Sequence, residues 1–562
     1  MSHGLPLHTR ERTAMIELQR LESPVLAPMA GTPVVVPPEA TPSLGVLDTL
    51  FERLAADGIR YCHWKSNEHV GPGLRGRGDL DVLVDRRAAL AIALLLAELG
   101  FKRFIVQPGR GYPGIEDYLG FDSATGTLTH LHLHYQLTLG EKFLKGHRLP
   151  WEEVLLETRI YDAEHRIYVA DPALEALMLL VRAAMKLRTR DFLLAGANTP
   201  YVRGSQLREL RWLATRTETS HLMELAIPLV GDEAARLVPE MLAAPAPTIR
   251  QLLAFRRCAR PSWEEYRMYG ALEARGRRWL RELDTIVSVL RAATRGATAR
   301  SVLAARLRNH VLHASTRTAP QGGLLVAITG PDGAGKTTLT LATTHWLSRE
   351  VAVLPMYGGS GSGPASLARN FLQALARLAR PFARTRRTAH GAIGAAVPAA
   401  ANGVKTPVAG GRIRRLAYAT WALSLAGERR RNAAHARRAR DRGRIVIADR
   451  FPQSQFPGLN DGPKLTEWLS HRDPLLRWAA RRERVAFDCI ALSPPDLVVK
   501  LQLPFELALQ RKPDTPADQL RRKVEIVQAL TYPSATQVVS VDARMPAADV
   551  LLAVKRLVWR AM

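Results

Sequence analysis

The segment best suited to bind phosphate is a glycine-rich stretch in the second half of this 562-residue chain. It covers Gly330–Thr337 (GPDGAGKT), after an apolar strand predicted at Leu324–Ile328 and before a helix with apolar periodicity. The G-x4-G-K-T spacing is that of a P-loop, whose glycines let backbone N–H groups point inward at a helix start. Lys336 would reach the β- and γ-phosphates of a nucleoside triphosphate, and the Thr337 hydroxyl would bind Mg²⁺. The predicted triphosphate-binding residues are Gly330, Pro331, Asp332, Gly333, Ala334, Gly335, Lys336, Thr337 and Thr338.

Charged residues follow later apolar strands, at the end where a parallel sheet binds its ligands. Asp449 and Arg450 come directly after a strand predicted at Ile445–Ala448. An arginine there can hold a phosphate through two parallel hydrogen bonds. The alternative is that the two residues form a surface ion pair ending the strand. A third strand is predicted at Leu497–Leu503, and the helices after it carry basic residues: Arg511, Lys512, Arg521, Arg522 and Lys523.

From Leu324 to Met562 the sequence resembles the thymidylate kinases, a group of P-loop nucleoside monophosphate kinases. The resemblance rests on GPDGAGKTT, on the Asp-Arg-aromatic motif at Asp449–Phe451 and on PDLVVKLQLPFELALQRK. It implies a parallel sheet wrapped by helices, with a mobile lid over the phosphates of ATP. It also implies that Asp449 helps to bind Mg²⁺ or to position the acceptor, and that Arg450 holds the acceptor phosphate. On this resemblance the catalytic residues are predicted to be Lys336, Asp449, Arg450, Arg511 and Arg521, with Lys512 and Arg522 as further lid residues.

The sequence departs from that family on the acceptor side. Met356–Gly359 (MYGG) stands after a strand predicted at Val351–Leu354, where the family usually has Arg-Glu-Pro-Gly. Ser454 falls where the family often has a serine, but the usual Tyr-Gln pair is missing. The sequence therefore favours ATP as the donor and does not identify thymidylate as the acceptor.

A pair of carboxylates in the first half of the chain could bind metal ions. Asp79 and Asp81 lie two residues apart in a predicted strand, so both side chains face the same way. Their Cβ atoms would lie roughly 6.6 Å apart, a spacing at which two carboxylates can share one or two Mg²⁺ ions holding a triphosphate. The segment Leu47–Leu137 resembles the nucleotidyltransferase fold, with His63–Asn67 at the position of its Gly-Ser-like turn.

Active members of that fold need a third carboxylate on a neighbouring strand. The resemblance puts His132 at its position, on a strand predicted at Leu128–Leu137. Asp117 and Asp122 could substitute, but both fall in a predicted loop. For the acidic pair three interpretations stay open: an active transferase, a nucleotide-binding or inactive domain, and a plain strand-end pair. Three alternating histidines share one strand face, for which we favour an exposed polar face over a metal site: His130, His132 and His134.

The chain carries a formal net charge of +27 that is concentrated in one region. Gly361–Arg450 holds 19 lysine or arginine residues and three acidic ones. This pattern fits either a solvated helical face or a surface that contacts an anionic membrane or another polyanion. Nucleic acid is the weaker partner, because the aromatic residues do not interleave with the charges in the way typical of an RNA-binding face. Three widely spaced cysteines exclude a disulfide scaffold, and with no secretory signal in residues 1–20 we expect a cytoplasmic protein.

The sequence predicts an α/β protein with two nucleotide-related halves. We expect a Pro-rich tail at 1–45, a nucleotidyltransferase-like domain at 46–170, a helical extension at 171–315, a linker at 316–323 and a P-loop domain at 324–562. A basic insertion is predicted at about 361–445 of that last domain.

The leading functional hypothesis is phosphoryl transfer to a phosphorylated small acceptor, dependent on ATP and Mg²⁺. One alternative is a bifunctional nucleotidyltransferase and kinase that acts on a sugar, polymer or lipid-linked acceptor. The other is an ATP-dependent switch that docks on an anionic surface. The sequence leaves the oligomeric state open.

Overall fold

The computed structural model describes residues 42–106, 111–141, 144–187, 196–259, 317–359 and 411–562, with a few single residues between 268 and 279. The predicted tail up to residue 41 and the basic insertion from 360 to 410 lie outside the described residues. So does most of the predicted helical extension beyond residue 259.

The first half is built on a mixed sheet of seven strands in the order β3-β4-β5-β2-β1-β9-β8. Strands β6 and β7 pair as a separate antiparallel ribbon. The strands are β1 Tyr61–His63, β2 Asp79–Val84, β3 Lys102–Phe104, β4 Ile115–Asp122, β5 Thr127–His134, β6 Leu137–Glu141, β7 Leu144–Leu149, β8 Ile160–Asp162 and β9 Ile167–Val169. The helices between them are α1 Gly45–Ala56, α2 Val70–Leu74, α3 Ala89–Glu98 and α4 Glu152–Glu157.

The register of the central strands brings acidic and histidine positions side by side. Strand β2 runs parallel to β5 and pairs Asp81 with His132. Strand β4 runs antiparallel to β5 and pairs Asp117 with the same His132. The predicted loop around Asp117 and Asp122 is therefore wrong, since both residues belong to β4. This strand forms because its whole length pairs with β5, from Ile115 to Asp122.

A helical layer follows the first sheet, as predicted for residues after 171. Its central helix is capped at its start by Asp171, whose carboxylate accepts a hydrogen bond from the Ala173 amide at 2.8 Å. This helix is buried along most of its length, which accounts for its continuous apolar sequence. The described helices are α5 Pro172–Lys186, α6 Ser205–Ala214, α7 Thr219–Val230, α8 Asp232–Ala243 and α9 Ile249–Ala259.

The second half is a five-stranded parallel sheet in the order β11-β12-β10-β13-β14, flanked by helices. This confirms the predicted α/β class for the P-loop half. Its strands are β10 Leu324–Thr329, β11 Val353–Tyr357, β12 Ile445–Asp449, β13 Leu497–Gln502 and β14 Gln537–Asp542. Its helices are α10 Lys336–Ser348, α11 Arg412–Asp441, α12 Pro474–Ala491, α13 Phe505–Arg511, α14 Ala517–Ala529 and α15 Ala547–Ala561.

The part of the predicted basic insertion that the structure describes begins at residue 411 and forms α11, which packs on this sheet. Helix α11 packs small residues, Ala433 and Ala436 among them, against Leu325 of β10 and Val446 of β12. Arg429 of this helix is buried, Arg415 and Arg440 are partly buried, and its other arginines are exposed. Strand β11 begins two residues later than predicted. Among the described residues no helix is both long enough and apolar enough to cross a membrane.

One of the hydrophobic clusters contains residues of both halves. Phe121 of β4 packs against Trp346 of α10 and Trp559 of α15, with ring centroids 5.6 Å and 5.7 Å apart. The segment predicted as a linker is bonded to both sheets. Thr318 exchanges backbone hydrogen bonds with Ile105, and the amide of Ala352 donates to the Arg317 carbonyl.

Candidate functional site

The P-loop places Lys336 at the first position of α10. Gly333 and Gly335 have φ values of +89° and +81°, a backbone region that residues with a Cβ rarely adopt. Lys336 is 5% exposed, and its ammonium donates a hydrogen bond to the Pro331 carbonyl at 2.7 Å. Burial and the nearby Arg450 lower the pKa of Lys336 to about 8. The Lys336 ammonium is thus fixed within the loop, where its positive charge can bind an anionic ligand.

The side chains of Thr337 and Asp449 are in contact, as expected for two residues that bind one Mg²⁺ ion. The Thr337 hydroxyl donates to Asp449 Oδ2 at 2.7 Å. Asp449 is 4% exposed, and its Oδ1 atom is buried with no hydrogen-bond partner among the described residues. A buried carboxylate oxygen without a partner is costly unless a cation or donor satisfies it. Hydroxyl and carboxylate oxygens are ligands that suit Mg²⁺, so these two residues fit that ion.

Asp332 is the anion around which the cations of this site gather. Lys523 Nζ lies 2.6 Å from its Oδ2 atom, while Arg450 Nη2 and Lys336 Nζ lie 2.9 Å and 3.7 Å from its Oδ1 atom. Although burial opposes ionisation, these cations hold the pKa of Asp332 well below its usual range. Cations from α10, from α14 and from the residue after β12 thus converge on one carboxylate of the P-loop.

Arg450 adopts a strained backbone conformation, with a φ of +67°. Two hydrogen bonds fix it: the Arg450 amide donates to the Ile328 carbonyl, and the Gly358 amide donates to the Asp449 carbonyl, both at 3.0 Å. A Cβ on Gly358 would lie 2.5 Å from the Arg450 carbonyl oxygen, so a glycine is required there. Left-handed backbone at a non-glycine residue costs about 1–3 kcal/mol and is concentrated at functional sites.

A buried ion pair extends the site away from the P-loop. Arg429 of α11 donates to Asp461 Oδ1 and to the Asp461 carbonyl, both at 3.0 Å. Arg450 Nη1 lies 3.6 Å from Asp461 Oδ2. Burial lowers the pKa of Arg429 despite the nearby Asp461. Asp332, Arg450, Asp461 and Arg429 therefore form a continuous row of alternating charges.

The predicted lid residues have different environments. Arg511 lies beside the loop, where its guanidinium donates to the carbonyl of Gly333 at 3.3 Å. Arg521 is exposed and lies over the Phe505 ring, 4.3 Å from its centroid. Thr338, Lys512 and Arg522 are exposed. The catalytic role predicted for Arg521 stays a prediction.

Sequence reasoning did not select Lys523, which is the cation of α14 that contacts the P-loop. A signal for it exists in the sequence. Leu520, Lys523 and Val527 follow a helical i, i+3, i+7 spacing, and all three are buried. A charged residue on an apolar stripe points into the protein and needs a partner there, which Asp332 supplies.

The N-terminal His/Asp cluster consists of Asp79 and Asp81 on β2, Asp117 on β4, and His130, His132 and His134 on β5. Each histidine of the cluster contacts at least one of its carboxylates. His130 bridges two carboxylates, with Nδ1 2.6 Å from Asp79 Oδ1 and Nε2 2.9 Å from Asp117 Oδ1. His134 Nε2 lies 3.0 Å from Asp81 Oδ1.

His132 occupies the centre of this cluster, at the position predicted for a third carboxylate. Its Nδ1 lies 3.4 Å from Asp81 Oδ1 and its Nε2 lies 3.0 Å from Asp117 Oδ1. Asp117 of β4 therefore adds a third carboxylate to the cluster. Asp122 does not take part in these contacts, since its carboxylate accepts from the amide and hydroxyl of Thr125 in the turn after β4.

The expectation that the histidines form an exposed polar face is wrong. His130 and His134 are buried and His132 is partly buried; Trp64 packs edge-on against the His134 ring and Arg317 lies beside His130. Burial lowers the pKa of His134 to about 4. Burial also opposes the charged form of His132, but Asp117 and Asp81 raise its pKa overall.

Two basic residues neutralise the carboxylates of the cluster. Lys65 Nζ lies 2.8 Å from Asp81 Oδ1, and Arg317 Nε donates to Asp117 Oδ1 at 2.8 Å. Although burial opposes ionisation, these cations and the histidines hold the pKa values of Asp81 and Asp117 well below their usual range. Lys65 lies in the segment predicted to replace the Gly-Ser-like turn.

The second half has a parallel sheet, and a glycine-rich loop leads from its central strand into a helix that starts with Lys-Thr. This arrangement defines a P-loop nucleotide-binding α/β protein. The chain is 27% identical over 239 residues to YghS of Escherichia coli K12, named an uncharacterized ATP-binding protein; the match covers 42% of this chain and 93% of that protein. YghR of the same strain, with the same description, is 27% identical over 249 residues, or 42% of this chain and 88% of that protein. No protein-family model matches the chain.

Proposed function

We propose that this protein transfers a phosphoryl group from ATP to a phosphorylated small acceptor, as nucleoside monophosphate kinases do. The observation that carries the proposal is the convergence of Lys336, Arg450 and Lys523 on Asp332 at the P-loop. A triphosphate and an acceptor phosphate bring more negative charge than one carboxylate, and cations already positioned for it cost no reorganisation at reaction. The names of the relatives, which are ATP-binding proteins, support ATP as the donor.

In this proposal each residue has a positioning or charge-neutralising role. The loop amides and Lys336 bind the donor phosphates, and Arg450 holds the acceptor phosphate in line with them. Lys523 and Arg511 neutralise charge on the transferred group. The P-loop supplies no general base, and the acceptor phosphate oxygen needs none to act as nucleophile.

Thr337 and Asp449 would hold Mg²⁺ in this mechanism. The ion supplies neutralisation of charge on the phosphate oxygens when it is bound. Asp449 would contribute through Oδ1, which has no hydrogen-bond partner among the described residues, while its Oδ2 accepts from the Thr337 hydroxyl.

The proposal is tested with the purified full chain, ATP and Mg²⁺ against a panel of nucleoside monophosphates and other phosphorylated small molecules. ADP and pyrophosphate are measured together in each reaction. We expect ADP formation that depends on one acceptor class and is abolished in Lys336→Ala and Asp449→Asn. Arg544→Gln, which changes an exposed arginine paired with Asp542, serves as the control and should keep full activity.

Two other results would replace the kinase proposal. Slow ATP hydrolysis that no acceptor accelerates would favour the ATP-dependent switch. Pyrophosphate release that is lost in Asp81→Asn would favour nucleotidyl transfer in the first half. Contact with an anionic membrane or polyanion also stays a prediction, since residues 360–410 of the basic insertion lie outside the described part of the chain.

A further inference from the structure

We propose that Asp81, His132 and His134 form a binding site for a first-row transition-metal ion, of the Zn²⁺ or Co²⁺ type. This site differs from the Asp79/Asp81 Mg²⁺ pair that the sequence predicts. It is independent of the proposed phosphoryl transfer, since none of its residues contacts the P-loop among the described residues.

The distances among the three side chains suit a single metal ion. Asp81 Oδ1 lies 3.4 Å from His132 Nδ1 and 3.0 Å from His134 Nε2. All three ligand atoms lie within 4.8 Å of one another. Ligands on a tetrahedral ion with bonds of about 2.1 Å are separated by roughly 3.4 Å, so small side-chain movements would complete the site.

A supporting carboxylate orients the central histidine. His132 presents Nδ1 to Asp81, while its Nε2 lies 3.0 Å from Asp117 Oδ1. Metal-binding histidines usually donate their second ring nitrogen to a carboxylate or carbonyl, which fixes the ring and raises its basicity. Arg317 in turn donates to Asp117, so the supporting group is itself held in place.

His130, the third histidine of β5, is less available as a metal ligand. His130 has both ring nitrogens on carboxylates, Asp79 at 2.6 Å and Asp117 at 2.9 Å, whereas His134 contacts a carboxylate through Nε2 alone and its Nδ1 has no hydrogen-bond partner among the described residues. Arg317 Nη2 lies 3.2 Å from His130 Nδ1, so that nitrogen faces a guanidinium as well as a carboxylate. We therefore assign the ion to the His134 side of the cluster.

The donor set selects the class of ion. Mg²⁺ prefers oxygen ligands in octahedral geometry, whereas imidazole nitrogen suits Zn²⁺, Co²⁺ and related ions. Two nitrogens and one carboxylate oxygen leave at least one coordination position for water or a substrate oxygen, as at catalytic rather than structural zinc sites. The cluster opens to solvent at Asp79, whose side chain is 51% exposed.

Lys65 sets the affinity of this site. Its ammonium lies 2.8 Å from the Asp81 oxygen that also faces both histidines. A bound metal ion must displace or share this contact. Removing the positive charge in Lys65→Gln should therefore strengthen metal binding.

The test is a Co²⁺ titration of the full chain without a tag, stripped of metal by a chelator and free of nucleotide. Visible absorption of Co²⁺ reports nitrogen ligands and low coordination number independently of any enzymatic activity. We expect about one Co²⁺ per chain, displaced by Zn²⁺ and not by millimolar Mg²⁺. His132→Gln and His134→Gln should weaken Co²⁺ binding by about 100-fold or more, and Asp117→Asn by about 10- to 100-fold.

Matched variants distinguish this site from the other acidic and histidine groups of the chain. Asp79→Asn should change the affinity for Co²⁺ by less than about threefold. His165→Gln removes a His–Asp pair on another part of the first half and should have no effect. Thr337→Ala should also have none, since it belongs to the proposed Mg²⁺ site.

Three outcomes would overturn the proposal. One is a wild-type protein, folded by circular dichroism, that shows no Co²⁺ absorption at micromolar concentrations. Another is displacement of Co²⁺ by millimolar Mg²⁺, which would indicate oxygen ligands. The third is an equal loss of binding in Asp79→Asn and His134→Gln, which would assign the ion to the acidic pair. The first two use the unaltered chain and so do not depend on whether a variant folds.

Discussion

Arg317 donates a hydrogen bond from Nε to Asp117 Oδ1 at 2.8 Å, across 200 residues of sequence. The same guanidinium contacts Glu350 Oε2 at 3.1 Å, just beyond the end of α10. Since α10 begins at Lys336, one arginine connects the His/Asp cluster to the helix that carries the P-loop lysine. The predicted linker is thus a bonded contact between the two halves.

Removing this arginine should destabilise the whole protein. Arg317→Ala leaves the mostly buried Asp117 carboxylate with only His130 and His132 as partners among the described residues, so we expect a loss below the value of about 3–5 kcal/mol for a fully broken buried pair. Urea unfolding measures the loss. Asp117→Asn in the Arg317→Ala background should recover part of it, because the uncompensated charge is gone. Additive losses in the double variant would show that the two side chains are not coupled.

The affinity for ATP should fall at alkaline pH because of Lys336. Its free-state pKa is lowered to about 8, and only the protonated ammonium attracts a triphosphate. Below that pH the Kd is constant; above it the Kd rises, by up to about tenfold per pH unit. Isothermal titration calorimetry from about pH 7 to about pH 10 measures the change. In Lys336→Arg the charge persists, so a slope equal to that of the wild type would contradict this assignment.

Replacing Arg450 by lysine should impair acceptor use more than ATP binding. An ammonium cannot reproduce the two parallel hydrogen bonds of a guanidinium to phosphate. We expect a higher acceptor KM or a lower kcat in Arg450→Lys, with ATP affinity changed by less than about threefold. Steady-state kinetics at saturating ATP separates the two effects. An unchanged acceptor dependence would remove Arg450 from the acceptor site.

The hydrophobic cluster with residues of both halves predicts that the two halves unfold together. Phe121 is 8% exposed and packs against tryptophans of the second half, so Phe121→Ala should cost about 3–5 kcal/mol. Fluorescence and circular dichroism should follow one coincident transition during urea unfolding. Leu492→Ala, at a residue 81% exposed, is the control and should leave the midpoint unchanged. Two separated transitions in the wild type would show that the halves are independent.

The P-loop could be predicted from sequence because its signal is local. A strand, three glycines, Lys336 and a helix follow one another within about twenty residues, and each has its own pattern. The structure places the same loop at the end of β10 and the same lysine at the start of α10. The α/β class follows from the same alternation of strands and helices.

The residues that were missed depend on contacts distant in sequence. The sequence indicates Asp117 as a possible third carboxylate but predicts it in a loop; it lies in β4, whose three acidic residues have low strand propensity and which pairs with β5 along its whole length and also with β3. Lys523 contacts Asp332 across 191 residues. Its position on a buried helical stripe was the available signal, and the same pattern marks Arg429 of α11, which falls between buried Ala426 and Ala433.

The packing of Trp346 gives the protein an internal optical reporter. Its indole lies in the helix that begins with the P-loop lysine, in edge contact with Phe121 of the first sheet and with the Lys555 ammonium 5.4 Å from its ring. Indole emission depends on the charges and motion around the ring. Because the chain has ten tryptophans, the emission of Trp346 is obtained as the difference between the wild type and Trp346→Phe, and it can follow changes at the phosphate loop and in the first half without an added label.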